Sequence, residues 1–293
     1  MNARAYQFKV GNFDCAAVAD GTFTYAPPMF PPPAELLFIN APSEPRAQAL
    51  AEHGLEPKQW QAWTSAYTCL VVNTGSSRVL IDTGADGLGP ETGRLLENLR
   101  AAGIEPGDID HVILTHGHPD HLGGNVDDEG NVVFPQARWL MSRIEWDFWT
   151  GGQAAEVLPE HGKDVLLGVA HRNLSPIRER VSLISGEQEI VPGIQVLPAP
   201  GHTPGHIVVA ISSAGEELLC VADLVLHPIH VERPEWFAAF DLLPDQLVSS
   251  RRALLGRAAK VKCLVMAFHF PFPGLGRVSA KGTGWQWEPQ VSS

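Results

Sequence analysis

Residues His111-Val-Ile-Leu-Thr115 form a short apolar run, and immediately after it His116-Gly-His118-Pro-Asp120-His121 sets four metal-binding side chains within six positions. The run reads as a buried strand that delivers ligands at its C-terminal end, so the polar loop has a rigid anchor. Such a loop can turn His116 and His118 toward one metal ion while Asp120 and His121 face a second, with an oxygen shared between the two. Imidazoles with a few carboxylates suit Zn first, with Fe, Mn and Co as alternatives. The rival reading is a polar loop of solvated histidines. It explains an isolated His-x-His, but poorly explains His-x-His-x-Asp-His directly after an apolar strand.

Elsewhere the chain reads as an ordinary globular protein. Its 293 residues, 44% of them hydrophobic, can bury a sizeable core. A net charge of -12 without clustered Lys or Arg excludes a general nucleic-acid partner. No stretch approaches the ~18 consecutive apolar residues of a membrane-spanning helix, and the first residues lack an export signal, so the expected location is the cytoplasm. Cys15, Cys69, Cys220 and Cys263 lack a C-x-x-C pair and read as small buried apolar residues.

Residues 6 to 25 are β-rich, and the prolines from Pro27 to Pro33 then open what reads as a long loop to about residue 60. Strands are expected at 66 to 72 and 78 to 82 around the turn Asn73-Thr74-Gly75-Ser76. A helix is expected from Glu91 to Ala102, closing at Gly103. Further strands are expected at 138 to 141, 181 to 184, 194 to 197, 207 to 211, 218 to 222 and 263 to 268. Helices are expected from Ser142 to Trp149, within 160 to 180, and from Pro244 to Lys260. Two β-rich halves that each end in helices suggest a sheet sandwich with helices outside. No linker is visible, which favours one domain over 1–293 with a loop-rich N-terminal extension at about 26–60.

Thr115-His116-Gly-His118-Pro-Asp120-His121-Leu-Gly-Gly124 resembles the T-H-x-H-x-D-H-x-G-G signature of the metallo-β-lactamase superfamily. In the family's order, Gly201-His202-Thr203-Pro204-Gly205-His206 resembles its G-H-T-P-G-H turn. Val221-Ala222-Asp223 resembles its bridging aspartate, and Ala267-Phe268-His269 its last histidine. Upstream, Leu80-Ile81-Asp82-Thr83-Gly84 is similar to its L-I-D-T-G strand. These landmarks span about two thirds of the chain. The resemblance implies an α+β fold, an αββα sandwich with a dinuclear site at one edge of its two sheets. It implies that His116, His118 and His202 hold one divalent ion, that Asp120, His121 and His269 hold the other, and that Asp223 bridges them. Asp82 would accept a ring N–H from a ligand histidine, while His206 has no implied ligand role and suits a structural hydrogen bond. The activity implied is hydrolysis by a metal-bridging hydroxide, with Asp120 and Asp223 as the catalytic carboxylates.

Within the superfamily the chain resembles the branch of methyl parathion hydrolase and related lactonases and arylesterases, through His269-Phe-Pro-Phe-Pro-Gly274, Asp147-Phe-Trp149 and the run from Leu224 to Asp241. The acyl-homoserine lactonases carry a tyrosine three residues after the bridging aspartate, where this chain has Leu226. Trp146, Phe148, Trp149 and Phe240 are candidates to line an apolar pocket, with core packing as the alternative, and Leu226 and His227 are further pocket candidates. The expected activity is hydrolysis of lactones and aryl esters, with organophosphate triesters as side substrates. The alternatives are a thioesterase or β-lactam hydrolase, or a ligand-sensing effector with weak turnover. The partner is a small-molecule substrate, with no nucleic acid and no membrane. The implied assembly is a homodimer using residues 26 to 60 and the tail carrying Trp285 and Trp287.

Overall fold

The computed structural model describes residues 5–160 and 162–290. Of the segment Met1 to Val10 read for an export signal, Met1 to Arg4 lie outside the described residues, as does His161, which had no functional reading.

Sheet one is built from β1 (Ala5–Val10), β2 (Phe13–Tyr25), β3 (Trp63–Asn73), β4 (Arg78–Ile81), β5 (His111–Ile113), β6 (Arg138–Ser142) and β7 (Val181–Ile184), in that spatial order. Sheet two consists of β8 (Gln188–Val191), β9 (Ile194–Pro198), β10 (Ile207–Ser213), β11 (Glu216–Cys220), β12 (Leu264–Met266), β13 (Leu275–Lys281) and β14 (Gly284–Pro289), again in order. The helices are α1 (Pro33–Leu37), α2 (Ser43–Glu52), α3 (Leu95–Ala101), α4 (Pro119–Leu122), α5 (Arg143–Thr150), α6 (Gln153–Val157), α7 (Lys163–Leu174), α8 (Pro228–Glu232) and α9 (Pro244–Val261).

Side-chain alternation explains the layering. On β3, Leu70 and Val72 enter a core shared with Val196, Val209 and Leu218 of sheet two, while Cys69 and Val71 face a second core against Leu99, Trp146 and Leu174 of the helices. Sheet two packs its outer face on α9 through Leu254, Leu255 and Ala258. Helix, sheet, sheet, helix is the expected sandwich, and all four cysteines are free and buried within it.

Pairing direction is what positions the site. Strands β4, β5, β6 and β7 run parallel, with Ile81, Ile113 and Leu140 in register. In sheet two β11 and β12 are likewise parallel, with Cys220 level with Met266. The C-terminal ends of β4, β5 and β6 therefore open on one edge of sheet one, and the residues that follow β11 and β12 leave sheet two side by side.

Several elements differ from the sequence expectation. Residues 26 to 60 are not a continuous loop, because Pro33 starts α1, where a missing N–H costs nothing, and Leu37, Phe38 and Leu50 then build a separate core with Trp63 and Trp236. The tail carrying Trp285 and Trp287 is the second strand of the hairpin β13–β14. Trp285 and Trp287 on it pack against the α9 core, and Phe270 meets Trp287 at 4.9 Å. The helix expected from Glu91 starts only at Leu95. Asp20, 1% exposed, accepts N–H bonds from Ala85, Gly93 and Leu95 at 3.0–3.2 Å and holds the approach in a turn.

Burial raises the Asp20 carboxyl to about 6, outweighing those hydrogen bonds. Between pH about 4 and 6 the folded chain thus retains a proton that the unfolded chain has lost, so this group's contribution to stability falls as pH rises through that window, by an amount on the order of 3 kcal/mol. In urea titrations of the metal-free protein from pH 4 to 7, wild type should lose stability relative to Asp20→Asn. A gap that stays constant with pH would refute the assignment.

Candidate metal centre

Each strand end at the shared edge carries chemistry. Asp82 follows β4, Thr115 and His116 follow β5, Asp223 lies just beyond β11, and His269 lies just beyond β12. His118 caps α4, which carries Asp120 and His121, and His202 sits in the turn between β9 and β10. All seven expected donors converge into two groups, His116, His118, His202 and Asp223 in one, and Asp120, His121 and His269 in the other.

Asp223 lies between the groups. Its Oδ2 is 3.2 Å from His202 Nε2 and 3.0 Å from His269 Nε2, and its Oδ1 is 3.0 Å from His121 Nε2. His118 Nδ1 lies 3.0 Å from His116 Nε2 and 2.9 Å from His202 Nε2. Asp120 Oδ2 stands 3.5 Å from His269 Nε2.

The far side of each ring decides which nitrogen points inward. His121 Nδ1 donates to Asp82 Oδ2 at 2.8 Å, and His202 Nδ1 to Asp241 Oδ1 at 2.7 Å. Ser65 Oγ lies 2.8 Å from His269 Nδ1, and Thr115 Oγ1 lies 3.1 Å from His116 Nδ1. With the outer nitrogens satisfied as donors, the inner ones present lone pairs to the centre. Buried His121 Nε2 and Asp223 Oδ1 have no hydrogen-bond partner among the described residues. Converging lone pairs and orphaned buried acceptors are the arrangement a pair of cations satisfies, so this donor set fits a dinuclear centre.

The charges agree. Burial alone would raise the Asp223 carboxyl, but His269, His121 and His202 hold it well below the carboxylate range. Burial depresses His116 and His118, and neighbouring imidazoles depress them further. Against burial, Asp223 and Asp241 hold His202 up at about 9. His206 is pushed down to about 3 by burial and by His202. Its Nδ1 lies 3.2 Å from Ala199 O while its Nε2 accepts from Asp223 N–H at 3.2 Å, which is the structural role expected of it.

Sequence reasoning gave no role to three groups that support the site. Glu145 on α5, fully buried, accepts from Gly117 N, Trp149 Nε1, Thr203 Oγ1 and Gly205 N at 2.6–2.9 Å. It thereby ties the His116–His121 loop to the His202 turn. A Cβ on Gly117 would lie 2.2 Å from Trp149 Nε1, and one on Gly205 would lie 2.2 Å from Glu145 N, so both positions need glycine. Asp241 is held by Arg251, also buried, whose Nε donates to Leu224 O at 2.5 Å and whose Nη1 donates to Trp236 O. Ser65 is the third. None has a local motif, although Asp241 stands at the end of the family-like run.

The pocket candidates separate. Trp149 is buried in the helix-side core together with Trp146 and Phe148, and of the three it is the one that reaches the centre, 5.7 Å from the His118 ring. Leu226 is buried with Phe38, Ile229 and Trp236. His227 caps α8, accepting from Ile229 N at 3.2 Å, and burial beside His53 pushes it down to about 3. Phe240 is half-buried and meets Tyr25 at 5.7 Å.

The family model described as metallo-beta-lactamase superfamily matches residues 63–268. The N-acyl homoserine lactonase AiiA of Bacillus thuringiensis subsp. kurstaki is 31% identical over 182 residues, covering 61% of this chain and 63% of the relative. The match thus spans somewhat under two thirds of that relative's length. Among solved structures, the dizinc quorum-quenching lactonase AidC is 28% identical with a TM-score of 0.89, covering 99% of this chain and 98% of its own. The hydrolase AbOPH of the beta-lactamase superfamily is 30% identical with a TM-score of 0.87, covering 100% and 99%.

Asp82 also accepts from Thr115 N and Thr115 Oγ1, both at 2.8 Å, so it orients two elements of the centre. Asp82→Asn should leave the fold intact but weaken zinc binding about 10- to 100-fold in chelator competition. Unchanged affinity would remove its orienting role.

Proposed function

Because the chain belongs to the metallo-beta-lactamase superfamily, we propose that it is a dinuclear metal-dependent hydrolase of lactones, with aryl esters and organophosphate triesters as secondary substrates. The observation that carries this reading is the sharing of Asp223 between two buried donor groups, each with inward lone pairs fixed from behind. The lactonase names of AiiA and AidC support the lactone, and the dizinc description of AidC supports zinc here. His116, His118 and His202 would hold one ion and Asp120, His121 and His269 the other, with Asp223 positioned to serve both groups.

A pair of divalent cations in this site supplies a water acidic enough to attack at neutral pH and polarises the ester carbonyl. The protein's own groups do the rest. Asp120, 8% exposed, orients the attacking water, takes its proton and passes it to the leaving oxygen. Asp82, Asp241, Ser65 and Thr115 keep the imidazoles in one tautomer, so none has to reorganise during the reaction. Trp149 covers the loop beside His118 and keeps bulk water from that side. A homodimer is part of the same reading, which light scattering tests.

Asp120→Asn should lower kcat about 100-fold or more on N-hexanoyl homoserine lactone with two metals still bound. A chelator should abolish turnover of that lactone, dihydrocoumarin, phenyl acetate and paraoxon, and zinc should restore it. Turnover of nitrocefin alone, or hydrolysis indifferent to the chelator, would overturn the reading.

A further inference from the structure

Tyr25 and Tyr67 face each other with their hydroxyl oxygens 2.8 Å apart. Two phenols carry two hydrogens, and the bond between them uses one. Tyr67 is fully buried, packed on Phe268 at 5.7 Å and edge-on to His269 at 5.4 Å, and Tyr25 Oη is the only hydrogen-bond partner of its hydroxyl among the described residues. A buried donor that does not donate is costly, so Tyr67 gives its hydrogen to Tyr25. The hydrogen of half-buried Tyr25 is left with no acceptor among the described residues.

Strand register shows where that hydrogen lies. Trp63, Ser65 and Tyr67 alternate onto one face of β3, the face from which Ser65 reaches His269. Tyr25 pairs with Trp63, and Phe23 with Ser65, so β2 contributes Tyr25 to the same face. Tyr25 stacks on Trp63 at 4.9 Å, and Trp63 in turn lies 6.0 Å from His269. Burial, with Asp120 adding to it, pushes the Tyr25 hydroxyl well above its ordinary range. Phe30 at 4.8 Å and Phe240 at 5.7 Å close the outer side of the ring. The result is an O–H without an acceptor among the described residues, set in an aromatic wall whose Trp63 and Tyr67 flank His269.

We propose that Tyr25 is a catalytic residue that donates its hydrogen bond to the leaving-group oxygen of an ester or lactone, with Tyr67 as the positioning residue that aims it. The assignment rests on the hydrolase reading above. In the step, the water oxygen bonds to the acyl carbon and the bond from that carbon to the ester oxygen breaks, leaving the electron pair on the ester oxygen. Asp120 carries the water's proton to that oxygen, while Tyr25 keeps its own and steadies the charge in between. Such a donor matters most for poor leaving groups, so the site is built for alkoxide leavers, including opened lactones, over phenolates.

Tyr25→Phe, with metal content and melting temperature matched to wild type, should lower kcat about 10- to 100-fold on N-hexanoyl homoserine lactone and ethyl esters, but less than about 3-fold on 4-nitrophenyl acetate. Tyr67→Phe should show the same pattern, weaker. Calorimetry with N-hexanoyl-L-homoserine, the ring-opened product, should show weaker binding to Tyr25→Phe, a readout independent of turnover. Equal losses across the leaving-group series, or none, would overturn the donor role while leaving the hydrolase reading intact. A wild-type protein that hydrolyses no ester or lactone would overturn both.

Discussion

Everything in this molecule depends on burying five imidazoles and two carboxylates with their acceptor atoms turned toward one another. Groups brought this close in a dry interior strongly favour dispersal or protonation unless their orientation is imposed. Here the imposition comes from outside the cluster. Thr115, Asp82, Asp241 and Ser65 each engage the outer nitrogen of one ring, so the inner nitrogens have a single use. Asp82 and Asp241 are themselves buried and bonded, which extends the constraint one layer further out.

The two sheets share this task. Sheet one supplies the His116–His121 loop and Asp82 from parallel strand ends, and sheet two supplies Asp223 and His269 from a second parallel pair. Nothing in either sheet alone would hold the two contributions in register. Glu145 makes that link by collecting donors from Gly117 on one side and Thr203 and Gly205 on the other. Arg251 does related work behind Asp241, tying the carbonyls of Leu224 and Trp236 to the α9 side. A buried carboxylate and a buried guanidinium are expensive, and here Glu145 is offset by four hydrogen bonds and Arg251 by its bonds to backbone carbonyls and the nearby Asp241 carboxylate.

The segment between β2 and β3 sets the character of the approach to the site. Its short helices carry Leu37, Phe38 and Leu50 into a core with Leu226, Ile229 and Trp236, next to the aromatic group of Tyr25, Phe30, Trp63 and Phe240. Leu226 is spent on that core, and the polar function on this wall falls to the hydroxyls of Tyr25 and Tyr67. An apolar wall with one hydroxyl suits a substrate with an apolar body and one oxygen that gains charge.

The donor set was legible in the chain because each part of it is local. A strand's apolar run followed by closely spaced His and Asp is a pattern that neighbouring residues make by themselves, and the same holds for Asp223 and His269 at the ends of short apolar runs. The sandwich was legible for a related reason, since alternation and helical spacing record which face is buried. Glu145 reads in sequence as an ordinary helix residue, Tyr25 as an ordinary β residue, Ser65 as a residue just before a strand, and Asp241 as a loop residue before a helix. Their roles arise from contacts across 58, 204, 42 and 39 positions of chain, and a pairing over such distances leaves no periodicity behind. The sequence by itself thus determined which atoms could bind cations and that they sit at strand ends. Only the tertiary structure decided which way each ring points, what holds it there and which hydroxyls pair beside the centre, because orientation is a property of partners that the chain brings together only when folded.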